Sequence, residues 1–281
     1  MTDLPDPNID PASDTGVVVP PHHKRRILAV ANQKGGVGKT TTAINLSTAL
    51  AAVGRRVVLI DMDPQGNATT SLGIDRNASE TGTYEVLING ASLADSIIQT
   101  DVPHLSVVPA SLDLSGAELE LVEIENREYR LQAAFKEAPD DVDYVIIDCP
   151  PALGLLTLNA LVVADGVLVP LQCEYLALEG LSQLVRTVER VHNGFNPRLS
   201  IQGIVLTMYD SRNNLSGLVA EDVRSYFGDV VYNTVIPRNV RVSEAPSHGK
   251  PVLLYDFGCP GSQAYIHLAG EVLRREEGDL Q

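Results

Sequence analysis

Cysteine, long apolar runs and basic residues are all scarce in this sequence, and each scarcity argues against a class of protein. The cysteines are Cys149, Cys173 and Cys259, and none belongs to a C-x-x-C pair, which argues against a disulfide scaffold and a structural zinc site. No stretch approaches about 18 consecutive apolar residues, so the sequence predicts no membrane-spanning segment. The N-terminus has no apolar run after its charged residues, so we expect no secretory signal.

The shortage of positive charge argues against a protein that binds nucleic acid over its whole surface. The chain has 21 lysine and arginine residues against 36 aspartate and glutamate residues, a formal net charge of −15. The charge is unevenly spread. Residues 75–143 hold 15 acidic and 4 basic residues, whereas residues 181–250 hold 6 acidic and 8 basic residues. Any contact with nucleic acid is therefore expected from the second of these regions.

The apolar residues that are present suffice for one large folded domain. The 281 residues are 44% hydrophobic, and a chain of this length buries roughly 75% of its unfolded surface without needing disulfides. Residues 1–24 are rich in proline and aspartate and poor in large apolar residues, so we expect a disordered leader there. We expect a single domain over residues 25–276 and a short tail over residues 277–281.

Short apolar runs alternate with helical stretches along the expected domain. The runs typical of strands are ILAVAN, RRVVLIDMD, LSVVPA, DYVIID, GVLVPL, SIQGIVLTM and VVYNTVIP. The stretches typical of helices cover residues 39–54, 114–138, 155–164, 177–193, 215–227 and 261–275. This alternation predicts an α/β fold: a mostly parallel, doubly wound sheet covered by helices on both faces.

The strongest functional signal is a glycine-rich loop between the first strand and the first helix, KGGVGKTT over residues 34–41. Glycines let main-chain N–H groups turn inward around an anion, and the N-terminus of the next helix adds a partial positive charge. Lys39 is expected to reach the β- and γ-phosphates of a nucleotide, and the Thr40 hydroxyl to hold Mg²⁺. The strict motif has glycine where this chain has Gln33, and Lys34 accompanies the change.

Two aspartate-containing segments follow at the ends of later strands. DMDPQGN begins at Asp61, and VIIDCPP contains Asp148. Carboxylates at the C-terminal ends of parallel strands face the ligand crevice. Asp61 and Asp63 share a face if the strand continues that far, and one of them can orient a water or aid a metal shell. Asp148 is expected to support phosphate-bound Mg²⁺.

Four stretches together resemble the ParA/Soj family of chromosome-partitioning ATPases: KGGVGKTTT, LIDMDPQGN, IIDCPP and IPRNVRVSEAPSHGKP. The similarity covers essentially all of residues 26–276. The phosphate loop alone marks the wider P-loop NTPase superfamily with a deviant Walker A motif, which includes MinD and the nitrogenase iron protein. The second and fourth stretches narrow the resemblance to the partitioning branch.

The resemblance implies roles for particular residues. Lys34 matches the signature lysine that crosses a dimer interface to the partner's nucleotide, and Asp63 matches the aspartate that positions the attacking water. These two are the candidate catalytic residues. The implied nucleotide-binding residues are Lys34, Gly35, Gly36, Val37, Gly38, Lys39, Thr40 and Thr41 in the loop, with Pro237 and Asn239 near the adenine. Thr40 and Asp148 are implied to support Mg²⁺, and Arg212 and Arg241 to contact DNA.

The function implied by the resemblance is an ATPase with ATP and Mg²⁺ as cofactors that forms a homodimer when ATP is bound. Such a protein binds double-stranded DNA non-specifically and segregates or positions DNA with a ParB-like centromere-binding partner. We therefore expect a cytoplasmic, nucleoid-associated protein with no membrane contact.

Four other readings are weaker. A MinD-like membrane ATPase needs a basic amphipathic C-terminal helix, whereas this chain ends EVLRREEGDLQ. An iron protein needs cysteines at a shared cluster, and a tyrosine autokinase needs a tyrosine cluster at the end of the chain. A non-catalytic scaffold is distinguished from an ATPase by a turnover assay.

Overall fold

The structure, a computed structural model, describes residues 25–77, 80–174 and 177–278. The leader expected over residues 1–24 lies outside these ranges, as do residues 279–281 of the expected tail. The description therefore covers nearly all of the single domain that the sequence predicts.

Eight strands form one sheet in the order β3-β4-β2-β5-β1-β6-β7-β8. All neighbouring strands are parallel except β3, which runs antiparallel to β4 at the edge of the sheet. Each of the seven apolar runs matches one strand to within a few residues, which confirms the predicted fold class; the two-residue β3 was not predicted. The strands are β1 Arg26–Val30, β2 Val57–Asp61, β3 Ile98–Gln99, β4 Leu105–Val108, β5 Tyr144–Asp148, β6 Gly166–Gln172, β7 Ser200–Tyr209 and β8 Val231–Pro237.

Ten α-helices occur in the described part of the chain, and none of them is both long and apolar enough to cross a membrane. Five are long, and they match five of the six stretches predicted as helices. They are α1 Lys39–Ala52, α5 Leu155–Val163, α6 Ala177–Gly194, α7 Asn214–Phe227 and α10 Pro260–Gly278. The short ones are α2 Asn67–Ser71, α3 Ala117–Leu121, α4 Arg130–Ala134, α8 Val240–Glu244 and α9 Val252–Tyr255.

The helix predicted over residues 114–138 is wrong as a single element. The structure breaks the segment into α3, α4 and 3₁₀ turns. Asn126 adopts a left-handed backbone (φ 51°), which a continuous right-handed helix excludes. Only a few of its side chains, such as Leu121 and Leu131, are buried, so packing does not favour one long helix.

The core lies on both faces of the sheet, as alternating side chains along each strand require. In β1, Leu28 packs against α1 and α10 on one face, and Ala29 packs with α5, α6 and α7 on the other. The strands that carry the aspartate segments and the glycine loop run parallel, so the polar groups that follow their C-terminal ends gather at one edge of the sheet.

Candidate nucleotide-binding site

The candidate site lies at the C-terminal ends of β1, β2 and β5, three adjacent strands at the centre of the sheet. The glycine-rich loop follows β1, the Asp63 loop follows β2, and Asp148 ends β5. This is the edge where parallel α/β sheets bind ligands. The topology therefore brings together the three segments that the sequence singled out.

The loop after β1 has the backbone that a phosphate cradle needs. Gly36 (φ 73°) and Gly38 (φ 88°) are in the left-handed region, which favours glycine. Side chains hold the loop from both sides. The Asn32 Oδ1 accepts a hydrogen bond from the main-chain N–H of Lys34 at 3.0 Å. The Thr207 hydroxyl, on β7, donates to the carbonyl of Val37 at 2.8 Å.

Helix α1 begins directly after this loop with its N–H groups available. Its N-cap is Gly38, no side chain caps it, and its first turn carries no acidic residue. The first N–H groups of a 14-residue helix therefore keep their partial positive charge for an anion.

Lys39 is buried and reaches back into the loop. Its Nζ donates to the carbonyl of Lys34 at 3.0 Å. Desolvation lowers the pKa of Lys39, whereas the nearby charges of Asp148 and Asp63 raise it. The lysine thus lies among the carboxylates of the other two segments, as the phosphate-loop assignment requires.

Asp148 is a buried carboxylate without a hydrogen-bond partner. Both of its oxygens are enclosed, and neither accepts a hydrogen bond from the residues that the structure describes. Desolvation raises the pKa of Asp148 well above its ordinary value, and the adjacent Asp61 raises it further. Thr40 and Lys39 lower the pKa of Asp148 but do not outweigh these two effects. The Thr40 hydroxyl is nearby, but neither carboxylate oxygen of Asp148 accepts a hydrogen bond from it.

A cation bound beside Thr40 would satisfy this unpartnered carboxylate, so the residues fit Mg²⁺. Across the described ranges, no cluster of three or more His, Cys, Asp or Glu side chains forms a metal site by protein ligands alone. Mg²⁺ is ordinarily held by one or two carboxylates together with water and substrate phosphates. The observed set of donors therefore matches phosphate-bound Mg²⁺ better than a metal site built from protein ligands.

Asp61 and Asp63 have different environments. Strand β2 ends at Asp61, which pairs in register with Asp148. The Asp61 carboxylate accepts hydrogen bonds from the N–H (2.8 Å) and hydroxyl (2.7 Å) of Thr69 and is fully buried. Asp63 lies in the loop, where its Oδ1 accepts from the N–H of Gln65 at 3.0 Å. Asp61 therefore anchors the loop after β2 through Thr69. In Asp63 only Oδ1 takes part in the turn with Gln65, and Oδ2 does not.

Lys34, the predicted trans-acting lysine, is engaged within its own chain. Its Nζ forms an ion pair with Glu174, which follows β6. Both side chains remain partly exposed. Sequence analysis gave Glu174 no role.

The predicted adenine residues Pro237 and Asn239 lie at the C-terminal end of β8, at the same edge as the loop. Strand β7 separates β8 from β6. The Asn239 Oδ1 accepts from the N–H of Arg241 and caps α8. The adenine role of both residues stays a prediction.

The predicted DNA-contacting residues are exposed, and each is paired with carboxylates. Arg212 has 87% of its side chain exposed and forms two hydrogen bonds with Asp210, lowering the pKa of Asp210 to about 2. Arg241 is 53% exposed and pairs with Glu244 and Asp256. The exposure suits contact with a large ligand, and the DNA role stays a prediction.

Comparison with known proteins identifies the family. Residues 25–201 match the model of a family described as AAA domain. Over 253 residues the chain is 62% identical to the chromosome partitioning protein ParA of Caulobacter vibrioides, covering 89% of this chain and 95% of the relative. The chain belongs to the ParA/Soj family.

Other similarities agree with this membership. The sporulation initiation inhibitor protein Soj of Bacillus subtilis is 55% identical to this ParA/Soj chain over 247 residues, covering 88% of this chain and 98% of Soj. A solved Mycobacterium smegmatis structure, described as cobyrinic acid a,c-diamide synthase with bound ATP analogue and magnesium, is 41% identical. Its TM-score is 0.79, with 90% of this chain and 96% of that chain covered.

Sequence reasoning missed the polar residues that hold the ParA/Soj site together. Besides Glu174, these are Thr69, which binds the Asp61 carboxylate, and Arg76, which binds the loop after Asp63. Thr69 contacts a side-chain carboxylate and Arg76 contacts main-chain carbonyls that folding brings close. The spacing of residues in the sequence does not reveal such contacts. The contact between Arg76 and Gly66, which leaves no room for a side chain on residue 66, is likewise visible only in the structure.

Proposed function

We propose that this ParA/Soj protein is an ATPase that binds ATP with Mg²⁺ and dimerises when ATP is bound. The observation that carries the proposal is the unpartnered, buried Asp148 carboxylate beside Lys39 and the phosphate loop. A buried charge without a partner is costly, and a bound cation offsets that cost. The loop backbone and the free N-terminus of α1 supply the complementary positive field for phosphates.

Each residue has a separate task in the proposed reaction. Lys39 and the loop N–H groups bind the phosphates, and Thr40 with Asp148 holds Mg²⁺. The metal, when bound, neutralises charge that develops on the phosphate oxygens. Asp63 orients the attacking water, because its carboxylate lies in the loop beside Lys39. Lys34 leaves Glu174 and offsets the phosphate charge of the partner subunit, as a basic residue supplied in trans does in other NTPases.

The proposed cellular task is to segregate or position DNA together with a ParB-like partner, in the cytoplasm and on the nucleoid. Two of the relatives above are a ParA and a Soj protein, which supports this task. We propose that DNA is bound non-specifically through Arg212 and Arg241. Dimerisation doubles the number of these arginines, so DNA affinity rises with ATP through effective concentration. Contacts with phosphates carry no base information.

Sedimentation velocity tests the proposal in six samples: no nucleotide, ADP–Mg²⁺ or ATP–Mg²⁺, each with and without plasmid DNA. Phosphate release is measured in the same ATP samples. We expect a monomer without nucleotide or with ADP, a dimer with ATP, and migration with DNA only when ATP is present.

Two results would contradict the proposal. A mass independent of nucleotide would remove the ATP-dependent dimer, and an ATP-bound dimer that releases no phosphate even with DNA would favour the non-catalytic scaffold.

A further inference from the structure

Arg76 joins the loop after β2 to the loop after β4. Its guanidinium donates to the main-chain carbonyls of Pro64 (2.7 Å) and Gln65 (2.9 Å) in the first loop. It also donates to the carbonyls of Ala110 (3.0 Å) and Ser111 (2.7 Å) in the second. A planar guanidinium with several fixed donors can hold these four oxygens in one arrangement, which an ammonium group cannot. The side chain is half-buried, so solvent competes only in part.

The peptide groups bound by Arg76 are the ones that form the turn around Asp63. The carbonyl of Pro64 and the N–H of Gln65 belong to one peptide plane, and that N–H donates to the Asp63 Oδ1 at 3.0 Å. The carbonyl of Gln65 and the N–H of Gly66 form the next plane, and that N–H donates to the Asp63 carbonyl at 2.8 Å. Arg76 therefore binds the carbonyl groups of two consecutive peptide planes, and the N–H groups of the same two planes bind Asp63.

Gly66 leaves the space through which the arginine passes. A Cβ on residue 66 would lie 2.3 Å from the Arg76 Nε, and the residue has a φ of +64°. The glycine is thus required twice, once by its left-handed backbone and once by the guanidinium against it. This contact gives the glycine of DPQGN a structural reason that the sequence alone does not provide.

We propose that Arg76 is a positioning residue that fixes the direction of the Asp63 carboxylate. The catalytic consequence rests on the proposed function, in which Asp63 orients the attacking water. Arg76 lies on neither the phosphate loop nor α1, so it contributes to the geometry of the reaction and not to the binding of ATP. The hydrogen bonds between Thr69 and Asp61 also anchor the loop. They remain when Arg76 is replaced, so the variant is expected to fold.

Steady-state kinetics with ATP–Mg²⁺ tests the consequence in Arg76→Ala. We expect kcat to fall by about 10–100-fold, because a misplacement of about 1 Å in a catalytic group has an effect of this size. We expect KM and the dissociation constant for ATP to change by less than about threefold, because the cradle is untouched. Arg76→Lys is expected to recover only part of the rate, since one ammonium cannot reproduce the four hydrogen bonds.

Arg130→Ala is the matched control. Arg130 is also half-buried, and it donates to the main-chain carbonyls of Leu87 (2.6 Å) and Ile88 (3.1 Å), away from the Asp63 loop. Its loss is expected to lower the melting temperature and leave kcat unchanged. An equal fall of kcat in both variants, or an unchanged kcat in Arg76→Ala, overturns the positioning role.

Amide hydrogen exchange of the nucleotide-free protein tests the geometry without any turnover. Exchange at Gln65 and Gly66 is expected to accelerate by about tenfold or more in Arg76→Ala and to stay at the wild-type rate in Arg130→Ala. If wild-type protein releases no phosphate, the proposed function fails and the exchange rates alone decide whether Arg76 fixes the loop. Unchanged exchange in Arg76→Ala overturns the inference whatever the ATPase assay shows.

Discussion

Lys34 forms an ion pair with Glu174 of the same chain, although the family resemblance predicts that Lys34 acts on the nucleotide of the partner subunit. The side chains are 39% and 44% exposed, so water and salt screen their attraction. Exposed pairs of this kind contribute about 0–1 kcal/mol to stability. The contact can therefore be exchanged for phosphate oxygens at a small cost when two subunits meet.

Glu174→Gln is expected to strengthen ATP-dependent dimerisation slightly, because it removes a competitor for the Lys34 ammonium. A gain of up to about 1 kcal/mol per subunit, or about 2 kcal/mol per symmetric dimer, corresponds to at most about a thirtyfold lower dimer dissociation constant. Lys34→Ala is expected to keep ATP binding and lose the dimer, since two facing phosphate groups then lack their cation. Light scattering over a concentration series in ATP–Mg²⁺ measures both effects.

Glu179→Gln serves as the control, because it removes the same charge from an exposed position in the first turn of α6. An equal gain in Glu174→Gln and Glu179→Gln would reflect net charge alone. A normal dimer in Lys34→Ala would exclude the trans role.

Asp63→Ala is expected to bind ATP and dimerise normally but to stop turnover. The phosphate cradle is untouched, while the attacking water loses the carboxylate that orients it. The variant should accumulate as an ATP-bound dimer on DNA. Nucleotide binding, mass and phosphate release are measured on the same sample.

Lys39→Ala gives the opposite pattern and is the comparison variant. It removes a charged hydrogen bond to the phosphates, so ATP affinity is expected to fall more than tenfold, by at least about 1.5–3 kcal/mol. Wild-type turnover in Asp63→Ala would transfer the role to Asp61 or another group. Unchanged ATP affinity in Lys39→Ala would refute the phosphate-loop assignment.

Asp148→Asn is expected to stabilise the nucleotide-free protein at neutral pH. Burial raises the pKa of Asp148 above its ordinary value of 3.8, so the folded state holds a proton that the unfolded state has already released. As pH rises from about 3.8 towards the raised pKa of the folded state, the free energy of unfolding of the wild type therefore falls relative to that of the variant. We expect a gain of at least about 2–4 °C in melting temperature at pH 7.5, which corresponds to about 1 kcal/mol in a domain of this size.

Melting curves between pH 4 and pH 8, with and without ATP–Mg²⁺, check this prediction. The two proteins should converge at low pH, and ATP–Mg²⁺ should raise the melting temperature of the wild type more than that of the variant. Asp61→Asn is the comparison variant. Burial raises the pKa of Asp61 to about 6, so a pH dependence of the same sign is expected, but weakening the hydrogen bonds that Thr69 donates to this carboxylate should make any gain in stability smaller than in Asp148→Asn. A pH-independent difference between wild type and Asp148→Asn would contradict the buried-charge argument.

The sequence predicted the parts of this fold that depend on local pattern. Apolar runs bounded by turns located seven strands, and the glycine-rich loop was correctly expected between the first strand and the first helix. The long acidic segment over residues 114–138 misled the prediction, because helix-forming composition does not reveal a left-handed residue such as Asn126.

The contacts that hold the loops of the site in place could not be predicted from the sequence, for a physical reason. Arg76 and Ala110 are 34 residues apart, yet the guanidinium binds that carbonyl directly. Contacts between a side chain and a distant main-chain group leave no periodic pattern in the sequence. The same holds for Lys34 and Glu174, which are separated by 140 residues.

Arg212→Glu and Arg241→Glu are each expected to weaken DNA binding and leave ATP-driven dimerisation intact. A chain with a net charge of −15 is repelled by DNA as a whole, so binding has to come from a local basic surface. Each lost phosphate contact should lower the slope of log affinity against log salt by roughly 0.9, or about twice that in a symmetric dimer. A salt titration of the ATP-bound proteins on two unrelated duplexes measures the slope.

Arg56→Glu is the matched control, because Arg56, like Arg212, is an exposed arginine paired with one carboxylate, that of Asp141 at 2.8 Å. It precedes β2 and therefore lies at the opposite end of the sheet from Arg212 and Arg241. All three substitutions change the net charge equally, so only a local contact can separate them. If Arg56→Glu lowers the slope as much as the other two, long-range repulsion explains the loss. If Arg212→Glu and Arg241→Glu keep the wild-type slope, the DNA surface lies elsewhere.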